Sequence, residues 1–85
     1  MRIFYATKFK REYKRLPLRV KQIAEEKELL FRKDPFDKRL GTHKLHGRLK
    51  GYWAIWIDQK YRLIFEFAKK NVVWFHSVGD HSMYR

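Results

Sequence analysis

The chain has 85 residues, of which 45% are hydrophobic and 18% aromatic, and it contains no cysteine. This composition argues against a disordered chain, which lacks aromatic residues, and against a disulfide-rich secreted scaffold. The formal net charge of +12 exceeds the magnitude of about 2–8 that is usual for a small domain and indicates a polyanionic partner, either nucleic acid or an acidic protein. We expect one cytoplasmic domain spanning residues 1–85, with no apolar run near the ~20 residues of a membrane span.

The first half of the chain predicts one strand and two helices. Residues 2–6 (RIFYA) are rich in β-forming residues and predict the first strand. Thr7 is expected to cap a helix over residues 8–16, in which apolar residues recur at helical spacing. Pro17 separates this helix from a second one over residues 18–33, and the two helices should form a short antiparallel pair.

From residue 43 onward the hydrophobic pattern is typical of strands. Strand patterns occur at 43–49, 52–57, 61–67 and 72–78. The last three are separated by polar segments of hairpin length and should form a meander. The predicted fold class is therefore α+β, in the order β-α-α-β-β-β when only the three meander strands are counted after the helices, with a twisted antiparallel sheet and a helix pair packed on one face.

Alternation along residues 61–67 assigns side chains to the two faces of the sheet. The all-apolar set is expected to face the helices and comprises Tyr61, Leu63, Phe65 and Phe67. Arg62 therefore belongs to the side that the helix pair does not cover, called here the open face, where its guanidinium should reach water or an anion. The preceding strand is apolar on both sides, so a wholly buried strand would read the same. Its better core set leaves on the open face Tyr52, Ala54 and Trp56.

Three histidines, an arginine and a tyrosine could carry chemistry on the open face. They are His43, His46, Arg62, His81 and Tyr84. Cleavage of RNA needs one group to take the proton of a 2′-hydroxyl, another to protonate the departing 5′-oxygen, and a cation near the phosphate. Histidine exchanges protons near neutral pH, but spacing alone does not separate such a site from ordinary surface histidines. His43 and His46 also allow a zinc hypothesis, although the four ligands of a structural site are not apparent.

Three motifs in the second half support a family resemblance. They are Leu-x-Gly-x-Leu-x-Gly-Tyr-Trp at 45–53, Tyr-Arg-Leu-Ile-Phe at 61–65 and Val-Gly-x-His-x-x-Tyr at 78–84. With them the chain resembles the RelE/ParE superfamily of toxins from bacterial type II toxin–antitoxin pairs, in its RelE, YoeB and YafQ branch. The resemblance covers the whole chain in architecture and residues 43–85 in motif.

The resemblance implies a ribosome-dependent mRNA endoribonuclease that needs no metal or other cofactor. In that family His43 stands at the position of a general base and Arg62 at that of a phosphate contact. His81 stands at the position of the general acid and Tyr84 at that of a terminal aromatic that supports the substrate. Further contacts to RNA are expected from Lys44, His46, Arg48, Lys50 and Trp56.

The expected partners are the ribosome with its mRNA and a cognate antitoxin that is acidic at its contact surface, and no membrane. Two other functions stay open: a ParE-like inhibitor of DNA gyrase, and a non-catalytic RNA-binding member of the fold. The chain departs from its relatives at Ala54 and Trp56, where some carry paired lysines, and at Ser77, where an arginine occurs. The tail is either a disordered terminus or folds back across the open face, which would bring His81 beside Arg62.

Overall fold

The computed structural model describes residues 1–80, which form five strands and two α-helices. The strands are β1 (Arg2–Tyr5), β2 (His43–Lys44), β3 (Trp53–Trp56), β4 (Tyr61–Lys69) and β5 (Val72–Asp80). The α-helices are α1 (Thr7–Lys14) and α2 (Leu18–Lys33), and short 3-10 turns occur at Lys38–Leu40 and Gly47–Leu49. Within the described residues no helix combines the length and the apolar character required to cross a membrane.

The strands form one mixed sheet in the order β1-β5-β4-β3-β2. The predicted α+β fold with a meander and a helix pair on one face is confirmed. The prediction of an all-antiparallel sheet is wrong for β1, which pairs with β5 in parallel. A parallel neighbour requires a long connection, and the chain between the two strands supplies it. The pattern of a four-residue strand carries no information about the direction of its partner.

Three local predictions concern where helices and strands begin and end. The bounds of α2 are confirmed, whereas the strand at 43–49 and the cap of α1 are wrong. Helix α2 begins and ends where its pattern predicts. The predicted strand at 43–49 pairs only at His43–Lys44, because Gly47 adopts a φ of +66° and turns the chain. Thr7 does not cap α1: Ala6 is the N-cap residue, Thr7 is the first residue of the helix, and no side chain caps it.

The hydrophobic core lies between the helix pair and the covered face of the sheet. The helix side contributes Phe9, Leu16, Val20, Ala24 and Phe31. The sheet contributes Ile55, Ile57, Leu63, Phe65, Val73, Phe75 and Val78. The ring of Phe31 is fully buried and meets Phe65 and Phe75 edge to face, with centroids 4.9 and 5.6 Å apart. Such pairs add to the stabilisation from burial alone.

The predicted assignment of β3 and β4 to the two faces is confirmed with one exception. Leu63 and Phe65 belong to the core, while Arg62 and Ile64 do not. Phe67 was expected in the core but is 38% exposed. Its ring instead stacks on Phe36, with ring centroids 5.8 Å apart.

Substitution of Phe31 tests this packing. Phe31→Ala should lower the free energy of unfolding by about 3–5 kcal/mol, because it removes the ring between α2 and the sheet and leaves a cavity. The matched control is Leu29→Ala on the same helix, since Leu29 is 65% exposed. This substitution should change the free energy of unfolding by no more than about 0.5 kcal/mol. Urea unfolding followed by circular dichroism measures both. Equal stability of the two variants would contradict the core described here.

Candidate functional site

Cross-strand pairing places the candidate residues on two adjacent rows of the open face. One row crosses four strands and comprises His43, Ala54, Ile64 and Ser77. The next row comprises Trp56, Arg62 and Gly79. Two strand spacings, about 10 Å, separate the backbone of His43 from β4. The structure therefore brings His43, Trp56 and Arg62 into one region of the sheet.

His43 is exposed, and the backbone orients its ring. Its Nδ1 lies 2.8 Å from the carbonyl oxygen of Gly41. A carbonyl oxygen only accepts hydrogen bonds, so Nδ1 carries the proton and donates it. In the neutral ring Nε2 then has a free lone pair. His43 is thus held in the tautomer in which Nε2 can take a proton from a bound ligand.

Arg62 lies on the predicted face but does not reach water. Its side chain is 1% exposed, so the expectation of a solvated guanidinium is wrong. Nη1 donates to the carbonyl oxygens of Asp58 and Gln59 at 2.9 and 3.2 Å. The guanidinium carbon also lies 2.9 Å from the centroid of the Trp56 ring. The side chain folds back along its own hairpin because the turn offers it acceptors there.

The turn between β3 and β4 is held by Asp58 as well as by Arg62. The Oδ1 of Asp58 accepts hydrogen bonds from the backbone N–H groups of Lys60 and Tyr61, both at 2.8 Å, and Oδ2 lies 3.4 Å from Nη1 of Arg19. Burial raises the pKa of Asp58, but these hydrogen bonds and Arg19 outweigh it and lower the pKa below its ordinary value of 3.8. The charged carboxylate therefore stabilises the turn.

The Trp56 ring is positioned by a close approach of the backbone at Gly41. Gly41 has a φ of +61°, a left-handed conformation that glycine adopts without strain. A Cβ atom at this position would overlap with Cδ1 of the Trp56 indole. Glycine thus allows the indole to lie against the loop and over Arg62, while part of the ring remains exposed.

The loop between β2 and β3 gathers basic residues around a cavity of about 530 Å³. Its polar and aromatic lining comprises Lys44, His46, Lys50, Tyr52 and Trp53. The ammonium of Lys44 lies 5.5 Å from the centroid of the Trp53 ring. Three of the predicted RNA-binding residues are therefore neighbours, whereas Arg48 is exposed on the same loop and does not line the cavity.

The zinc hypothesis finds no set of ligands in the part of the chain that the structure describes. Over residues 1–80 no group of three His, Asp or Glu side chains could hold a metal ion. His43 is instead engaged through Nδ1 with a backbone carbonyl.

His81 and Tyr84 lie outside the described residues, so their predicted roles stay predictions. The described chain ends at Asp80, one residue before His81. Strand β5 continues to Asp80, two residues beyond its predicted end at Val78, and pairs Gly79 with Arg62. The alternative between a free and a folded tail likewise concerns residues 81–85.

His76 is a residue of the open face that sequence reasoning missed. The register between β4 and β5 shifts at Phe65, which places His76 and Ser77 against one residue of β4. The His76 ring lies 4.8 Å from the Tyr52 ring. Ser77 is buried, and its Oγ has no hydrogen-bond partner among residues 1–80. Regular alternation cannot reveal a bulge, so the sequence marked Ser77 only as a departure from its relatives and did not single out His76.

A model of the YafQ family, described as bacterial toxin of type II toxin–antitoxin system, matches residues 1–84. The chain belongs to the YafQ family of toxins. This confirms the family resemblance that the motifs indicated, and it assigns this YafQ-family toxin to the type II systems.

Solved structures share the fold at low sequence identity. YafQ from E. coli strain BL21(DE3) is 20% identical, with a TM-score of 0.81 over 96% of this chain and 94% of that one. A YoeB/ParE toxin from Agrobacterium tumefaciens is 16% identical, with a TM-score of 0.79 over 95% and 99%. The E. coli DinJ-YafQ toxin–antitoxin complex is 22% identical, with a TM-score of 0.74 over 96% of this chain and 93% of that one. No curated protein sequence matches the chain significantly.

Paired glycine substitutions test the contact between Gly41 and Trp56. Gly41→Ala and Gly47→Ala both place alanine at a positive φ, which costs about 1–2 kcal/mol of stability. Only Gly41→Ala must also displace the indole, because nothing lies within 4 Å of a Cβ at Gly47. We expect Gly41→Ala to lower the free energy of unfolding, measured in urea, by at least about 1 kcal/mol more than Gly47→Ala does. Equal losses would mean that Trp56 is not held by the loop.

The pH dependence of stability tests the carboxylate of Asp58. Since its pKa is lowered in the folded state, its contribution is complete above 3.8 and is lost as the pH falls through the folded value. Asp58→Asn keeps an acceptor oxygen but cannot ionise. The variant should be less stable than the parent at neutral pH and should lose less stability between about pH 5 and 2. Parallel curves from thermal unfolding across that range would contradict the assignment.

Proposed function

We propose that this toxin is a ribosome-dependent endoribonuclease that cuts mRNA in the cytoplasm and thereby inhibits translation. One observation carries the proposal. His43, in the tautomer with Nε2 free, shares the open face with the exposed indole of Trp56 and the guanidinium of Arg62. These groups match the needs of RNA cleavage, namely a base for the 2′-hydroxyl, a surface for a nucleobase and a positive charge.

The proposed reaction is an in-line attack of a ribose 2′-oxygen on the adjacent phosphate. Nε2 of His43 takes the 2′-hydroxyl proton, the bond between the 2′-oxygen and phosphorus forms, and the bond to the 5′-oxygen breaks. The departing 5′-oxygen accepts a proton, for which His81 is the proposed donor. The products are a 2′,3′-cyclic phosphate, which water can open to a 3′-phosphate, and a 5′-hydroxyl. The proton balance closes with histidine alone and requires no metal.

Arg62 acts in this proposal through its charge. The side chain is covered by Trp56 and bonded to the turn, so its direct contact to a phosphate would require the indole to move. A positive charge in a region of low dielectric still stabilises negative charge that develops nearby. Tyr84 is proposed to support the substrate, and the basic loop residues to hold RNA through contacts that weaken with salt. These residues are Lys44, His46, Arg48 and Lys50.

A cognate antitoxin is the proposed protein partner. Among the similar structures are the DinJ-YafQ complex from E. coli and the YoeB-YefM complex from Staphylococcus aureus. They support a partner of this kind for a toxin of the same fold. The net charge of +12 favours an antitoxin that is acidic where it contacts the toxin and that associates rapidly.

Translating ribosomes programmed with a defined mRNA test the proposal. The parent chain should create new RNA 5′ ends, and His43→Gln should reduce their rate of formation about 100-fold or more, because glutamine cannot take the 2′-hydroxyl proton. Leu29→Ala, on the exposed side of α2, is the control and should cut like the parent. Primer extension on the recovered mRNA measures the cleavage.

Two outcomes would contradict the proposed function, and a third would contradict the role of His43. If the parent creates no new 5′ ends on translating ribosomes, the protein is not a nuclease of this type. If induction in cells causes DNA damage before translation stops, the alternative of gyrase inhibition is favoured instead. Equal cleavage by His43→Gln and the parent would remove His43 from the proposed mechanism.

A further inference from the structure

A second aromatic cluster lies on the open face, at the edge of the sheet away from His43. Phe4 of β1 and Trp74 of β5 are partners in the parallel register, and their rings stack with centroids 5.1 Å apart and planes at 26°. The guanidinium carbon of Arg2 lies 5.2 Å from the Phe4 ring centroid. Trp74 is 38% exposed, so an ordered aromatic surface with a cation at its border faces the solvent.

Glu66 adjoins this surface and is available to a ligand. It pairs with Trp74 across β4 and β5 and is partly exposed. Within residues 1–80 its carboxylate has no hydrogen bond or ion pair. A carboxylate repels a phosphate but accepts hydrogen bonds from amino groups. A nucleotide bound here would therefore turn its base, and not its phosphate, toward Glu66.

The aromatic surface lies on the same face of the sheet as the proposed reaction site. His76 lies in sequence between Trp74 and Ser77, and Ser77 belongs to the row of His43. The rings of His76 and Tyr52, whose planes are tilted by 32° with centroids 4.8 Å apart, thus lie between the two regions. The open face therefore carries one ring pair near the row of His43 and a second pair at the edge strand β1.

We propose that the stacked pair Phe4–Trp74 binds an unpaired base of the RNA, and that Glu66 selects a base with an exocyclic amino group. The proposal rests on the proposed function only in taking RNA as the ligand. A net charge of +12 complements a polyanion, and flat aromatic rings bordered by arginine are typical of sites for single-stranded nucleic acid. Cytosine presents an amino donor where uracil presents a carbonyl acceptor, so a carboxylate discriminates between them.

Oligonucleotide binding tests the aromatic pair independently of cleavage. The full-length His43→Gln chain serves as the parent, and fluorescence anisotropy reports its affinity for oligocytidine and oligouridine. Adding Trp74→Ala should weaken oligocytidine binding about tenfold, with the slope of affinity against salt unchanged because no phosphate contact is removed. Trp74→Leu keeps the apolar packing if the alanine variant does not fold. Phe67→Ala, with an equal exposed fraction of 38% but on the other side of the sheet, should bind like the parent.

The selectivity of Glu66 is measured in the same assay. The parent should bind oligocytidine about fivefold more tightly than oligouridine, and Glu66→Gln should reduce this preference to within about twofold, because an amide both donates and accepts. Parent-like affinity in a folded Trp74 variant would overturn the aromatic site, and equal affinity of the parent for both oligonucleotides would overturn the role of Glu66. If the Trp74 variants lose binding while ribosomes show no cleavage, the stacking site stands and only the nuclease proposal fails.

Discussion

The open face depends on the contacts that the guanidinium of Arg62 makes. It donates to the carbonyl oxygens of the turn that joins β3 and β4, and the indole of Trp56 lies over it. A buried cation is tolerated only when its donors find acceptors, and the turn supplies them. The same contact orders the hairpin, fixes an exposed aromatic ring and brings positive charge beneath the surface where the substrate is proposed to bind.

The covered face of the sheet stabilises the fold, and the open face carries the groups of the proposed site. On the covered face, Phe31 and the rings of the sheet form a hydrophobic core. On the open face the same strands carry His43, Trp56, His76 and Trp74. Side chains on paired strands lose little freedom when a ligand binds, so the proposed site would be pre-organised by the sheet. Gly41 is needed beside Trp56, because any larger residue at this position would displace the indole.

Much of the fold could be predicted because it follows from local pattern. The 3.6-residue period and the flanking prolines predict both ends of α2 correctly. The two-residue period assigns Leu63 and Phe65 to the core and Arg62 to the opposite face of the sheet. The glycines of the motif at 45–53 were recognised as family signals, but their positive φ angles cut short a predicted strand. Thr7 has the chemistry of a helix cap, yet the helix begins at Thr7 itself and leaves Ala6 as the cap.

The sequence by itself determined the α+β class, the two faces of β4, the basic charge and the family, because these follow from periodicity, composition and motif. Only the tertiary structure decided the parallel partner of β1, the burial of Arg62 and the meeting of Phe4 with Trp74. It also decided the bulge that turns His76 toward Tyr52. The pairing of β1 and the contacts of Phe4 with Trp74 and of His76 with Tyr52 join residues that are distant in sequence. Arg62 is instead buried within its own hairpin, where the conformation of the turn and the position of the Trp56 ring decide the outcome. A strand carries its own alternation, but its neighbour in the sheet is chosen by the packing of the whole chain.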